Sequence, residues 1–177
     1  MLLYMDGNPT NQELPPSDLR HNVAMSLVEL QPHLVEWLEP PQMDTGSPSP
    51  SVHWDGHRLL CAYRTEQGMI PSAITALVKF EHVLQFRFGY PNDEALHGHP
   101  LYNFGLRHYG FYLVEKSPLV AEIENQNRVH IHYKPGMYAG FRHWIVTFHD
   151  DTLEVIALHA AVVGHSQLSP HRAICEA

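Results

Sequence analysis

The amino-acid sequence predicts an α+β fold built on a curved antiparallel sheet, either open or closed into a barrel. Several segments alternate apolar and polar residues with a period of two, as half-buried antiparallel strands do. Helical spacing is confined to an N-terminal arm and to one segment between strands. Strands and helices do not alternate regularly, which argues against a doubly wound fold. The length of 177 residues corresponds to about one domain.

The first 50 residues are expected to form a flexible lead-in, a helical arm and a linker. Residues 1–16 are polar and contain Asn-Pro and Pro-Pro dipeptides, which are typical of turns. Ser17 is a candidate N-cap, and apolar residues follow it at helical spacing. Pro32 is expected to open a second short helix. Residues 42–50 form a Pro/Ser-rich linker by composition. The arm is therefore a candidate homodimer contact.

Residues 51–164 are expected to form the β-rich domain, followed by a tail at 165–177. The dipeptide Asp55-Gly56 between two short apolar runs indicates a hairpin. The clearest predicted strand runs from Val78 to Tyr90, where apolar and polar residues alternate. The other predicted elements are a loop at 91–106, strands at 109–114 and 129–133, a helix at 118–127, a turn at 134–140, and a C-terminal hairpin of strands 141–148 and 153–160.

The C-terminal hairpin has a well-specified register, because a slip by one residue would expose its apolar face. The predicted turn places Phe148 opposite Leu153 and Thr147 opposite Glu154. His143 then lies on the same face as Glu154, but too far away for direct contact. The other face is expected to be core and carries only apolar residues: Trp144, Val146, Phe148, Leu153, Val155 and Ala157.

Composition argues against several classes of partner. The formal net charge is -8, and 15 histidines outnumber the 11 Lys and Arg residues. Basic side chains are not clustered, so nucleic acid is not expected as a partner. No apolar run approaches the ~18 residues that span a membrane, and no signal-peptide pattern is present, so we expect a cytoplasmic protein without a membrane partner. The two cysteines lack the C-x-x-C spacing of a zinc or redox site.

The segment 88–102 is the first candidate site, because it follows a strand and concentrates acids, histidines and tyrosines between Pro and Gly residues. Glu94 and Tyr102 are its candidate catalytic residues. His97 and His99 form an H-x-H pair, and His130 and His132 form another. In extended segments each pair would point to one side, where with a carboxylate it could hold Zn, Fe or Mn. The alternative is that these histidines cap turns or lie on wet faces.

The second candidate site is the partly polar face of the C-terminal hairpin, which carries His143 and Glu154. A histidine and a carboxylate act as general acid and base when a cleft desolvates them. Ile156 shares this face, and a surface that is half apolar and half polar is typical of a small-molecule pocket. The alternative is a cross-strand polar pair on a solvent-facing sheet. Arg87 is one of several arginines suited to a substrate carboxylate or to an ordinary ion pair.

These residues lead to three functional hypotheses. The favoured one is a small-molecule enzyme of the lyase, isomerase or cyclase type, which transfers protons with or without a divalent transition metal. The first alternative is a non-catalytic, immunity- or antitoxin-like protein-binding module, which fits the acidic charge and the N-terminal arm. The second alternative is a carrier of a small hydrophobic ligand, lined by aromatic side chains that otherwise fill the core.

Overall fold

A computed structural model describes residues 31–47, 49–66 and 74–177 of the chain. The helical arm predicted after Ser17 lies outside the described residues. Within the described part, strands form two antiparallel sheets. One sheet has five strands in the order β1-β6-β7-β8-β5, and the other has four in the order β2-β3-β4-β9. The α+β class with antiparallel sheets is therefore confirmed, but neither of these sheets closes into a barrel.

The strands are β1 (His33–Glu36), β2 (Ser51–Trp54), β3 (Arg58–Arg64), β4 (Thr75–Glu81), β5 (Gln85–Gly89), β6 (Phe111–Glu115), β7 (Arg142–Thr147), β8 (Thr152–Ala157) and β9 (His159–Ser166). The helices are α1 (Pro118–Asn127) and α2 (Pro170–Cys175), and the loop 91–106 contains two single turns of 3-10 helix. None of the described helices is long and apolar enough to cross a lipid bilayer.

The main core lies between the two sheets. The hairpin β7–β8 contributes the apolar face predicted from its sequence, and all six of those residues are buried there. Trp144 packs edge-on against Phe80 of β4, with ring centroids 5.9 Å apart. The four-stranded sheet supplies the opposing layer with Leu59, Cys61, Tyr63, Ala76, Val78 and Phe80. Burial of this size is the dominant stabilising contribution to the fold.

The second face of the β7–β8 hairpin is also covered, although the sequence predicts a wetter surface there. The loop 91–106 packs Leu96, Leu101 and Leu106 against Ile145 of β7. Helix α1 packs Leu119 and Ile123 against Ile156 of β8. Polar side chains on this face are therefore desolvated, and each one needs a partner to offset that cost.

The single long strand predicted from Val78 to Tyr90 is wrong. The chain leaves the four-stranded sheet at Glu81 and joins the five-stranded sheet at Gln85. His82, at the junction, has a positive φ of 55°. Phe86 of β5 packs against the same core as Val78 and Phe80 of β4, but Val83 from the predicted polar side packs there too, and Phe88 is 41% exposed. A pattern of period two therefore could not show that two sheets were involved.

Four further predictions also differ from the structure. The expected helix after Pro32 is strand β1, which pairs with β6. The expected linker includes Met43, which is 2% exposed in the core and bridges to Thr65. The expected strand 129–133 is a series of turns. The expected tail contains the end of β9 and helix α2. The hairpin at Asp55-Gly56 and helix 118–127 are confirmed.

Candidate functional site

The observed register of the C-terminal hairpin brings His143 to Glu154. Glu154 lies opposite Ile145, and Thr147 lies opposite Thr152, so the predicted register is wrong by two residues. A shift of two preserves which residues share a face, but it moves His143 onto the diagonal from Glu154, where long side chains meet. Nε2 of His143 lies 3.0 Å from Oε2 of Glu154. The expectation that the two side chains are too far apart is therefore wrong.

Glu154 is the centre of a group that we call the Glu154 cluster: Glu154, His143, His99, Arg87 and Ser117. Nε2 of His99, from the loop 91–106, lies 3.7 Å from Oε1 of Glu154. Nη1 of Arg87, on β5 directly across from Glu154, lies 4.0 Å from the same oxygen. Three elements of the fold thus converge on the carboxylate carried by β8, and Ser117, the N-cap of α1, joins the cluster through His143.

The side chains of the Glu154 cluster differ widely in their exposure to solvent. The side chain of Arg87 is 55% exposed, whereas that of Glu154 is 13% exposed. The His99 side chain is 8% exposed, and the His143 side chain is 2% exposed. A molecule arriving from solvent therefore meets Arg87 first, then Glu154 and His99, and does not reach His143.

The carboxyl group of Glu154 is strongly perturbed. Burial, the largest influence, would by itself raise its pKa, because a charged group loses hydration. The contacts of His143 and His99 together outweigh burial and hold the pKa of Glu154 well below its usual range. Glu154 is consequently a carboxylate anion at neutral pH.

The backbone fixes the ring of His99. The amide of Leu101 donates to Nδ1 of His99 over 3.1 Å. An Nδ1 that accepts this bond carries no hydrogen, so the ring hydrogen lies on Nε2, which faces Glu154. His99 is therefore held with its Nε2–H on the side of the carboxylate, although Nε2 lies 3.7 Å from Oε1, beyond hydrogen-bond distance.

His143 is fixed from its other side by Ser117. Oγ of Ser117 lies 2.9 Å from Nδ1 of His143, and it also accepts from the amide of Val120 as the N-cap of α1. Nε2 of His143 is close to Glu154, but its N–H direction is not aligned with an acceptor among the described residues. The two side chains are thus within ion-pair distance but do not form a well-aligned hydrogen bond. Sequence reasoning misses Ser117 as a site residue, although Ser before Pro118 is an N-cap signal.

A second polar group, the Asp93 cluster, comprises Asp93, Tyr109, His108, His149 and Asp150. The hydroxyl of Tyr109 donates to Oδ2 of Asp93. This bond is the main reason that the pKa of Asp93 is lowered and that the pKa of Tyr109 is raised to about 12. Nδ1 of His149 lies 2.8 Å from Oδ1 of Asp150, and that contact raises the pKa of His149. The sequence pattern does not indicate this cluster, because its members come from three separate segments.

The other predicted site residues lie apart from the Glu154 cluster contacts. Glu94 and His97 are exposed on the loop 91–106. Tyr102 is half-buried, and its ring lies beneath the guanidinium of Arg107, 5.1 Å from ring centre to Cζ. His130 and His132 are exposed, with ring centroids 5.6 Å apart.

The expected metal geometry is not formed. His97 lies in a turn of 3-10 helix, and His130 and His132 lie in turns, so neither H-x-H pair occupies an extended segment as predicted. Among the described residues, no three His, Cys, Asp or Glu side chains are arranged to hold a metal ion.

Two surface hollows lie away from the Glu154 cluster. One of about 650 Å³ lies beside α2 on the four-stranded sheet, and one of about 400 Å³ is lined by Trp37 and Tyr109. No residue of the Glu154 cluster lines either hollow. Charged groups converge at the Glu154 cluster, whereas in the first hollow Arg58 and Lys79 are already paired with Asp55 and Glu81.

No protein-family model, curated protein or solved structure matches the chain. The class of protein therefore has to be inferred from the geometry of its side chains.

Proposed function

We propose that this protein is an enzyme that moves a proton to or from an anionic small molecule at the Glu154 cluster. The observation that carries this proposal is one ionised carboxylate placed between two imidazoles from separate elements, beneath a half-exposed arginine. Desolvated His–carboxylate groups are the usual means of general acid–base catalysis. The reaction class is removal of a proton beside a carbonyl or carboxyl group, as in lyases, isomerases and cyclases.

Glu154 is the proton acceptor in this scheme. In the free protein its contacts with His99 and His143 keep its pKa low, which makes it a weak base. A substrate oxygen that accepts from the Nε2–H of His99 weakens one of these contacts, in which Nε2 lies 3.7 Å from Oε1. A negative charge on the substrate adds like-charge repulsion. Both changes raise the pKa of the carboxyl group towards the range in which it accepts a proton.

His99 supplies the hydrogen bond that stabilises the product of proton removal. As the carbon–hydrogen bond breaks, the proton passes to Oε1 of Glu154, and the electron pair moves onto the substrate carbonyl oxygen. The Nε2–H of His99, fixed by the amide of Leu101, donates to that oxygen. A carboxylate base opposed to a neutral imidazole donor is an established catalytic pairing.

The remaining members of the cluster position these two groups. Arg87 holds the anionic end of the substrate, because its guanidinium is the exposed cation next to Oε1. His143 fixes Oε2 of Glu154 from the buried side, and Ser117 fixes the ring of His143.

Hydrogen exchange into heavy water tests the proposal across a whole class of substrates at once. The protein is incubated in D₂O with a mixture of small carboxylic and keto acids, and each compound is examined by mass spectrometry. We expect one compound or a related group to gain deuterium or to be converted. Glu154→Gln should abolish the change, and Arg87→Gln should weaken it by raising KM more than it lowers kcat.

His97→Gln is the matched control, because His97 is an exposed histidine on the same loop as His99. It should leave exchange unchanged, and each variant is checked for folding by its thermal melt. Equal exchange by the wild type and by folded Glu154→Gln would refute catalysis at this cluster. Absence of any exchange across the mixture would instead favour the non-catalytic binding hypothesis.

A further inference from the structure

The hollow of about 400 Å³ lies on the five-stranded sheet, where the chain before Gln42 meets the segment 107–112. Its lining includes four aromatic residues: Trp37, Tyr109, Phe111 and Tyr112. Trp37 and Phe111 already stand edge to face, with centroids 6.3 Å apart. Its volume falls within the range of about 300–1,000 Å³ that is usual for small-molecule sites.

Arg107 supplies a cation at this hollow, and part of its guanidinium is uncommitted. Nη1 donates to the carbonyls of Tyr102 and Leu106, over 3.0 and 2.7 Å. The ring of Tyr102 lies beneath the guanidinium group of Arg107 and further supports its position. Within the described part of the chain, Nε and Nη2 have no acceptor. The arginine is therefore fixed in orientation while two of its nitrogens remain available to an anion.

The other charged and titratable groups at the hollow limit what it accepts. Glu36 lines the same hollow and places a carboxylate on its rim. His108 also lines it, but Nε2 of His108 is already 2.9 Å from the carbonyl of Asp93. The hydroxyl of Tyr109 is committed to Asp93. One arginine opposed by one carboxylate favours a ligand with a single negative charge over a polyanion.

We propose that this hollow is a binding site for a flat aromatic or conjugated monocarboxylate. The ring of the ligand packs among Trp37, Tyr109 and Phe111, and its carboxylate accepts from Arg107. The site is separate from the Glu154 cluster and does not depend on the proton-transfer proposal.

Binding of 2-naphthoate tests the site, followed by quenching of tryptophan fluorescence and by saturation-transfer NMR. We expect saturable binding that is weakened on the order of 10- to 100-fold in Arg107→Gln, since a charged hydrogen-bonded contact is lost. Arg172→Gln, on exposed α2, is the matched control and should bind as the wild type does. Glu36→Gln should bind more tightly, and Trp37→Phe should lose the quenching while the NMR signal remains.

The neutral analogue 2-naphthylmethanol makes the test independent of any variant. It should bind the wild type at least about tenfold more weakly than 2-naphthoate does. Equal binding of the two compounds, equal affinity in Arg107→Gln, or absence of saturable binding would each overturn the site. Glu154→Gln should bind 2-naphthoate normally, so failure here is distinguishable from failure of the proposed enzyme function.

Discussion

A double-mutant cycle on His143 and Glu154 measures how strongly the centre of the site is held. The side chains are 2% and 13% exposed, and Nε2 lies 3.0 Å from Oε2. Removing one member of a buried pair leaves the other desolvated, so His143→Gln and Glu154→Gln should each cost about 3–5 kcal/mol at most. The coupling energy should be about 1–3 kcal/mol, the upper part of the range for side chains in direct contact, because both groups are desolvated. Either loss is a large part of the about 5–15 kcal/mol that stabilises a domain.

The assay is urea unfolding of the wild type, the two single variants and the double variant at about pH 6, near the titration range of histidine. His33 and Glu115 provide a matched control, because their ring nitrogen and carboxylate lie 3.3 Å apart but their side chains are 69% and 56% exposed. Their coupling should stay below about 1 kcal/mol. A buried coupling no larger than this exposed one would refute the reasoning that desolvation makes the Glu154 contact strong.

Four further predictions follow from the same structure. Because the pKa of Glu154 is lowered in the folded state, the ionised carboxylate contributes its full stabilisation above the unfolded-state pKa of 4.5, and this stabilisation is lost as the pH falls below that value. In urea titrations, Glu154→Gln should therefore make the free energy of unfolding less dependent on pH below 4.5. Asp93→Asn should bring the pKa of Tyr109 down from about 12 towards 10 in an ultraviolet titration, since the hydrogen bond to Asp93 is its main cause; an unchanged titration curve would contradict that cause. Ser117→Ala should cost about 2 kcal/mol or more in unfolding experiments, through loss of the N-cap and of the partner of His143, whereas Ser169→Ala, whose side chain makes no capping bond, should cost little. Gly110→Ala should lower the melting temperature, because its Cβ would lie 2.5 Å from the hydroxyl of Tyr112, and Gly98→Ala, where nothing lies within 4 Å, should not; equal melting temperatures would exclude the clash.

Much of the fold follows from local patterns along the chain. The face of β7 and β8 that carries Trp144 and Val155 alternates strictly, so its burial could be predicted. The Pro118–Asn127 helix could be predicted because proline at its first turn and apolar spacing agree. The division between β4 and β5 could not be predicted, because it depends on the positive φ of His82 and on which strands pair at long range.

The candidate site is predictable in its residue types but not in its contacts. The sequence indicates His143, Glu154 and His99 as site residues. The predicted hairpin register, which is wrong by two residues, nevertheless places His143 too far from Glu154. The sequence could not show that the loop 91–106 folds back over the sheet and places His99 beside Glu154, because that depends on the packing of Leu96 and Leu101. The H-x-H spacing of the other predicted metal ligands places both imidazoles on one side only when the backbone is extended. In the structure these segments form turns instead of strands.

The three-residue junction between β4 and β5 ties the two layers of the molecule together. Val83 donates to the carbonyl of His57 on one side, and Leu84 donates to the carbonyl of Ile156 on the other. This short stretch of backbone is therefore hydrogen-bonded to the β2–β3 turn of one sheet and to β8 of the other. Separation of the two sheets would have to break these two hydrogen bonds. The amides of Val83 and Leu84 should therefore exchange with deuterium only when the whole described domain opens.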